Sequence, residues 1–248
     1  MSTSKETNGP ATIVLVPGLC HPHSVFDELI SCLRKAGYST AVTSNPSCDP
    51  RDPSITDCAA DTKVLRENVL LPLIEEQGKD VLVFAHSYGG IPGGGAAAGL
   101  SKTTRLKEGK TGGVIGLVYL AAGVVKEDQP STGLFIVENA VEKLMLRIPE
   151  TIAAKVNAIL RPHSRLSLEA PAPAPAWVET AFAGRLCYIR CGTDCSLPLL
   201  IQNMYIEKSE VEWIVKDVDA CHNAFLSDPE GVAQLTIGLT EIFQAKEL

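Results

Sequence analysis

The sequence lacks any long run of basic residues or of apolar residues, and both absences narrow the classes of protein to consider. Its 22 lysines and arginines are scattered along 248 residues and are outnumbered by 29 aspartates and glutamates, which gives a net charge of −7. Such a chain is a poor candidate for nucleic-acid binding. The longest apolar run, Val114 to Val125, is interrupted by glycines and is too short to span a bilayer. We therefore expect neither nucleic acid nor a membrane as a partner.

Signals for export and for metal or nucleotide binding are also missing. The first ten residues are polar and contain no apolar segment of the kind found in signal peptides, so the expected location is the cytoplasm. Cys187, Cys191 and Cys195 recur every four residues, unlike the paired cysteines of zinc sites. No P-loop or dinucleotide-binding glycine motif occurs. We expect no metal and no cofactor, and reduced thiols at all eight cysteines.

Strand and helix patterns alternate along most of the chain. Strands are predicted at 12–16, 38–43, 81–85, 114–121, 186–191 and 211–215. Helices are predicted at 24–36, 55–77, 88–100, 199–206 and 229–243. This alternation predicts an α/β fold with a mostly parallel sheet of about six strands and helices on both faces.

Residues 126–180 interrupt this alternation. They contain two amphipathic segments, near 134–146 and 150–160, followed by a stretch rich in proline and alanine, and they show no strand pattern. We expect them to form a helical cap inserted into a core made of residues 1–125 and 181–248. Such a cap would lie over the carboxyl ends of the strands, where open α/β sheets place their sites.

The segment VLVFAHSYGG, residues 81–90, places Ser87 between a predicted strand and a predicted helix. This is the pattern of a nucleophile elbow, a sharp turn that exposes a serine at the edge of a sheet. The strand and helix nearly touch at such a turn, so the residues two positions before and after the serine must be small, and here they are Ala85 and Gly89. The alternative is an ordinary strand-to-helix turn in which the serine only caps the helix.

A serine hydroxyl is a weak nucleophile and needs a base. The sequence offers five histidines, and His222 lies where this architecture places its base, after the last predicted strand. His86 adjoins Ser87, but neighbours on a tight turn point apart, so we expect a structural role for it. The alternative for His222 is a solvated loop histidine.

The base in turn needs an acid that fixes its tautomer. Asp194 follows the strand before the last one, which is the expected position, although aspartate also favours turns such as Gly192-Thr193-Asp194. Asp217 and Asp219 lie too close in sequence to His222, and Asp128 is a weaker rival.

An acyl-transfer site also needs N–H groups that hold the developing oxyanion. One is expected from Tyr88, directly after the nucleophile, and the second from the loop after the first strand, where we assign Leu19 with a neighbouring loop residue as the alternative. Gly18 and Cys20 in that loop are candidate substrate-binding residues. So is His163 of the cap, for which a polar pair at a helix end is the alternative.

The sequence resembles the small cofactor-free α/β-hydrolases, which include plant methyl esterases, hydroxynitrile lyases and many fungal and bacterial hydrolases. The resemblance rests on VPGLCHPHSVFDEL, GKDVLVFAHSYGG, GVIGLVYLAAG, YIRCGTDCSLPLLIQNM and CHNAFLSDPEGVA, in that order. It implies the α/β-hydrolase fold with a helical cap and the triad Ser87, Asp194 and His222. Hydroxynitrile lyases carry a threonine in the first loop and a lysine after the base histidine. The matching residues here, Gly18 and Asn223, argue against cyanohydrin cleavage and make Asn223 a candidate substrate contact.

Three functions fit these residues. The first is a serine hydrolase that cleaves an ester, thioester or lactone of a small or medium apolar substrate. The second is a cofactor-free lyase, a C–C bond-cleaving enzyme or a cyclase of natural-product metabolism that uses the same triad. The third is a ligand-binding receptor on a hydrolase scaffold, against which the intact triad counts. The sequence leaves the oligomeric state open, with a homodimer among the options.

Overall fold

The computed structural model describes residues 9–130 and 150–246. Within these ranges lie six strands, β1 (Thr12–Val16), β2 (Thr40–Val42), β3 (Asp80–His86), β4 (Gly113–Leu120), β5 (Leu186–Cys191) and β6 (Ile214–Val218). They form one parallel sheet in the order β2-β1-β3-β4-β5-β6. The predicted α/β-hydrolase fold with a parallel sheet of six strands is confirmed.

The central strands are mostly apolar because helices cover both faces of the sheet. All residues of β1, β3 and β4 are buried. Alternate side chains of β1 point to opposite faces, so Ile13 and Leu15 join one core cluster while Val14 and Val16 join the other. The two edge strands are less buried: β2 is partly buried along its length, and the central residues of β6 are exposed.

The two core clusters lie under different helices. The helices are α1 (Asp27–Lys35), α2 (Cys58–Leu65), α3 (Gly90–Ala97), α4 (Lys102–Lys107), α5 (Glu150–Ile159), α6 (Leu166–Glu169), α7 (Leu199–Ser209), α8 (Ala224–Ser227) and α9 (Pro229–Ala245). Helices α1 and α9 cover one face through Leu29, Leu33 and Phe243, whereas α2 and α3 cover the other through Leu65 and Ile91. Among the described residues, none of these helices is long and apolar enough to cross a bilayer.

The strand order determines where a site can form. The chain passes from β1 outward to β2 and then returns to the other side of β1 with β3. The connections from β1 and β3 therefore leave the sheet in opposite directions, which opens a crevice at the carboxyl ends of these strands. The loop after β1 and the turn after β3, which carry Gly18 and Ser87, both lie at this crevice.

Two predicted elements are placed differently in the structure. The strand predicted at 211–215 lies at Ile214–Val218, because Trp213 is buried in the turn and donates from Nε1 to Ser209 Oγ at 2.9 Å. The helix predicted at 55–77 begins at Cys58, where the side chain of Asp57 accepts from Ala60 N. It continues through π-helical turns to Glu76. Helix α4 was not predicted.

The expected cap is described only in part. Its first amphipathic segment, 134–146, lies outside the described residues, and the second forms α5. Residues 161–164 run beside loops of the core: Asp49 N donates to Pro162 O at 2.7 Å, and Ser164 N donates to Ser47 O at 2.8 Å. The division into a core of 1–125 and 181–248 and a cap of 126–180 stays a prediction.

Candidate active site

Ser87 lies on a strained turn at the end of β3. Its φ is +54°, in the left-handed region that non-glycine residues rarely adopt, and α3 begins three residues later. Gly89 makes this turn possible, because a Cβ there would be 2.5 Å from the carbonyl oxygen of Val16 and 2.8 Å from that of Pro17. The backbone at the end of β1 thus packs directly against the turn, as the spacing of small residues around Ser87 predicts.

His222 and Asp194 meet Ser87 at the same edge of the sheet. Asp194 follows β5, His222 follows β6, and both side chains are almost completely buried. His222 Nε2 is 2.8 Å from Ser87 Oγ, and His222 Nδ1 is 2.6 Å from Asp194 Oδ2. The structure therefore brings together the three residues that the sequence placed far apart.

These contacts determine the tautomer of His222. A carboxylate accepts hydrogen bonds, so Nδ1–H of His222 donates to Asp194 and the lone pair of Nε2 faces the hydroxyl of Ser87. The second oxygen of Asp194 accepts from the backbone N–H groups of Ser196 at 2.7 Å and Leu197 at 2.8 Å. The carboxylate is thereby held in one orientation, and His222 can accept a proton from Ser87.

The rival carboxylates lie elsewhere. Asp217 belongs to β6 and forms an exposed ion pair with Arg190, at 2.7 Å from Nε. Asp128 lies in a turn where its backbone N–H donates to Ala172 O at 3.0 Å. Asp194 is thus the predicted acid that contacts His222.

His86 supports the backbone of the base. Its Nε2–H donates to the carbonyl oxygen of His222 at 3.0 Å, and the two rings lie 4.7 Å apart. Complete burial and the neighbouring His222 lower the pKa of His86 well below its usual value, so the ring is neutral. The structural role expected for His86 agrees with these contacts.

Gly18 lies against the nucleophile. A Cβ at this position would be 2.8 Å from Ser87 Cβ and 3.3 Å from Ser87 Oγ. The loop that carries Gly18 is held by Asn45, whose Nδ2 donates to Pro17 O at 3.0 Å. The absence of a side chain at Gly18 therefore keeps the approach to Ser87 open on this side.

The two predicted oxyanion donors directly follow the two residues in this close contact. Tyr88 directly follows Ser87, and Leu19 directly follows Gly18. The next N–H along the loop, that of Cys20, already donates to His163 Nδ1 at 3.2 Å, which favours Leu19 as the free donor of the pair. The donation of Tyr88 and Leu19 to an oxyanion stays a prediction.

The remaining predicted substrate contacts differ in their surroundings. Asn223 is fully buried beside His222. Cys20 is partly buried and has a φ of +62°. Both ring nitrogens of His163 contact protein atoms, since Nε2 lies 3.0 Å from Ser47 Oγ. Contact of these residues with a substrate stays a prediction.

Three polar residues that contact the site were not predicted from the sequence: Ser47, Asp61 and Gln202. Asp61 is fully buried and accepts from the hydroxyls of Tyr88 and Ser47 and from Ser47 N. Burial raises the pKa of Asp61, and those hydrogen bonds oppose the rise. Gln202 forms hydrogen bonds with both Cys191 N and Cys191 O, at the start of the loop that carries Asp194.

The described residues contain no group of three His, Cys, Asp or Glu that could hold a metal ion.

This geometry can be compared with known proteins. The model of the α/β hydrolase family matches residues 13–235. The chain belongs to the α/β-hydrolase family. The resemblance seen in the sequence and the expectation of an α/β-hydrolase enzyme are therefore confirmed.

Individual relatives cover almost the whole chain. The α/β hydrolase nvfD of Aspergillus novofumigatus is 24% identical over 243 residues, which are 90% of this chain and 94% of that protein. A pyrethroid hydrolase from Sphingobium faniae is similar in structure, with a TM-score of 0.66 and 17% identity over 93% of this chain and 97% of its own. A methylesterase from Arabidopsis, MES16, has a TM-score of 0.68 and 16% identity over 94% of this chain and 99% of its own.

Proposed function

We propose that this α/β-hydrolase cleaves an ester, thioester or lactone bond in a small or medium apolar substrate, with Ser87 as nucleophile. The observation that carries the proposal is the pair of hydrogen bonds on His222, at 2.8 Å to Ser87 Oγ and at 2.6 Å to Asp194 Oδ2. A hydroxyl, an imidazole and a carboxylate joined in this order are the parts that activate a serine for acyl transfer. The similar structures of a pyrethroid hydrolase and a methylesterase support an ester as the bond.

The first half of the reaction forms an acyl-enzyme. Ser87 Oγ attacks the acyl carbon as His222 Nε2 takes the hydroxyl proton, and the carbonyl oxygen becomes an oxyanion that the N–H groups of Tyr88 and Leu19 stabilise. Asp194 stabilises the imidazolium that results. When the intermediate collapses, the bond to the leaving oxygen or sulfur breaks, and His222 returns the proton to that atom.

The second half regenerates the enzyme. A water molecule loses a proton to His222 Nε2 and attacks the acyl carbon, and the same N–H groups hold the second oxyanion. Collapse of this intermediate breaks the bond to Ser87 Oγ, which regains its proton from His222, and the carboxylic acid leaves. The net reaction consumes one water and needs no redox partner.

The lyase alternative has less support. Cyanohydrin cleavage in the related lyases uses a threonine in the first loop and a lysine after the base, and this chain has Gly18 and Asn223 there. A threonine side chain at position 18 would begin 2.8 Å from Ser87 Cβ, so the loop would first have to move. A cytoplasmic location and a role in secondary metabolism stay predictions.

A graded series of p-nitrophenyl esters tests the proposal. The enzyme is expected to release p-nitrophenol and to prefer one acyl chain length, while Ser87→Ala loses on the order of 10⁴-fold in kcat with the fold retained. Asp217→Asn, on the exposed edge strand, is the matched control and is expected to keep full activity. Retention of more than about a tenth of the activity in Ser87→Ala would show that Ser87 is not the nucleophile.

A further inference from the structure

A buried carboxylate contacts the residue that follows the nucleophile without taking part in the proposed reaction. Asp61 of α2 has no exposed surface, and three donors surround it: the hydroxyl of Tyr88, the hydroxyl of Ser47 and the backbone N–H of Ser47 at 2.8 Å. A buried carboxylate destabilises a fold unless its oxygens are hydrogen-bonded. These donors satisfy Asp61, and one of them belongs to the residue that follows Ser87.

A second chain of hydrogen bonds reaches Asp61 from the first loop. The N–H of Cys20 donates to His163 Nδ1 at 3.2 Å, so that nitrogen carries the lone pair and Nε2 carries the proton. Nε2–H then donates to Ser47 Oγ at 3.0 Å, and the Ser47 hydroxyl donates to Asp61. Each hydrogen bond in this series donates in the direction of the carboxylate. This direction fixes the tautomer of His163 and the orientation of the Ser47 hydroxyl.

One hydrogen-bond chain begins at the hydroxyl of Tyr88, the residue whose own N–H is one proposed oxyanion donor. The other begins at the N–H of Cys20, which directly follows Leu19, the residue proposed to supply the second donor. The rings of Tyr88 and His163 also pack edge to face, with centroids 5.1 Å apart and an interplanar angle of 78°. A second hydrogen bond holds the backbone of Cys20, because its carbonyl oxygen accepts from Arg161 N at 3.0 Å.

We propose that Asp61 and His163 are positioning residues that fix the separation of the Tyr88 and Leu19 N–H groups in the oxyanion hole. The proposal rests on the proposed function and adds the buried groups that hold its oxyanion donors. Donors that are already in place stabilise a developing charge without reorganisation during the reaction. A misplacement of about 1 Å can lower a rate about a hundredfold.

Substitutions at Asp61 and His163 test the two hydrogen-bond chains separately. Asp61→Asn replaces one acceptor oxygen by an N–H₂ group, so at least one of its donors loses its acceptor, and kcat/KM is expected to fall about tenfold to hundredfold. His163→Ala removes the acceptor of Cys20 N–H, and its kcat/KM is expected to fall by a factor in the same range. His163→Asn places an amide oxygen near the position of Nδ1 and is expected to recover part of the loss.

A transition-state analogue distinguishes positioning from a purely structural role. Ser87 Oγ adds to the carbonyl carbon of an aryl trifluoromethyl ketone, and the carbonyl oxygen becomes an oxyanion in the oxyanion hole. The corresponding secondary alcohol binds without forming an oxyanion. The inhibition constant of the ketone is expected to rise by about the same factor by which kcat/KM falls, with the affinity for the alcohol unchanged. Variants that keep both kcat/KM and ketone affinity, or that weaken ketone and alcohol equally, would overturn the proposal.

Two further variants distinguish a loss of oxyanion stabilisation from a loss of folding. Asp80→Asn, at the other end of β3, removes a buried carboxylate that pairs with Lys102 at 2.7 Å. It is expected to lower the melting temperature while kcat/KM per folded enzyme stays unchanged. If Asp61→Asn does not fold, Tyr88→Phe removes one donor to Asp61 and keeps the N–H of residue 88, and the same ketone comparison applies.

The outcomes also separate this proposal from the proposed function. A wild-type enzyme that neither hydrolyses aryl esters nor binds the ketone covalently would contradict both. An active wild type whose Asp61, His163 and Tyr88 variants are equally active would contradict the positioning role alone.

Discussion

Gly18 and Ser87 are so close that a Cβ at position 18 would be 2.8 Å from Ser87 Cβ. Real Cβ atoms do not approach a neighbour at that distance, so Gly18→Ala must displace either the first loop or the nucleophile. Because Leu19 follows directly, a displaced loop would also shift the N–H group that we propose as an oxyanion donor. We expect kcat to fall about tenfold to hundredfold with a small change in stability.

Gly238 provides the control for this substitution. It lies in α9, and a Cβ there would meet nothing within 4 Å. Gly238→Ala is expected to leave esterase activity unchanged and to stabilise the fold by up to about 1 kcal/mol. Full activity in Gly18→Ala, measured with the same ester, would show that the close contact with Ser87 is not needed for catalysis.

Gly89 is expected to matter for folding. An added Cβ would be 2.5 Å from Val16 O and 2.8 Å from Pro17 O, and neither backbone atom can move without disturbing the end of β1. We expect Gly89→Ala to destabilise the protein by about 1–3 kcal/mol, as overpacking does. Urea unfolding monitored by circular dichroism measures this loss, and a midpoint equal to that of the wild type would contradict the prediction.

Much of the site follows from local sequence patterns. β1, β3 and β5 are short apolar runs with clear ends, and the elbow around Ser87 has small residues at fixed spacing. The order Ser87, Asp194, His222 then follows from the chain order of this architecture. Position after a strand is a local signal, which explains why the geometry agrees with it.

Other features depend on contacts between distant residues and left no local pattern. Asp61 looks like any carboxylate on a helix, and its contact with Tyr88 spans 27 residues. Val211 and Trp213 alternate as strand residues do, but they pack into the core from the turn before β6. The pattern therefore placed that strand three residues too early.

Buried histidines make stability depend on pH. Burial lowers the pKa of His21 and of His163 to about 4, whereas a histidine in the unfolded chain has a pKa of about 6.5. Below pH ~6.5 the unfolded chain therefore binds more protons than the folded one. The free energy of unfolding is expected to decrease as the pH falls from about 6.5 to about 4, by up to about 3 kcal/mol for the fully buried His21.

Urea titrations across this pH range measure the effect. His21→Gln is expected to flatten the dependence on pH, whatever it does to the absolute stability. His23→Gln serves as the matched control, because His23 is exposed, and its slope is expected to equal that of the wild type. An identical slope in His21→Gln would contradict the assignment of His21 as a buried neutral group.

The choice between ester hydrolysis and cyanohydrin cleavage can be measured directly. A desolvated cation beside departing cyanide would lower its energy by several kcal/mol, but Asn223 is neutral and fully buried. Gly18 likewise offers no hydroxyl to hold the substrate oxygen. We expect hydrolysis of a small aryl ester and no release of cyanide from mandelonitrile above background. Cyanide release without esterase activity would move the enzyme to the lyases.

The most direct test of the account is the mass of the enzyme during turnover. A slowly hydrolysed p-nitrophenyl ester, quenched in acid within the first turnover, is expected to add one acyl group to the peptide that contains Ser87. Ser87→Ala is expected to show no such addition. Turnover of the ester with no adduct, or with the acyl group on another residue, would contradict nucleophilic catalysis by Ser87.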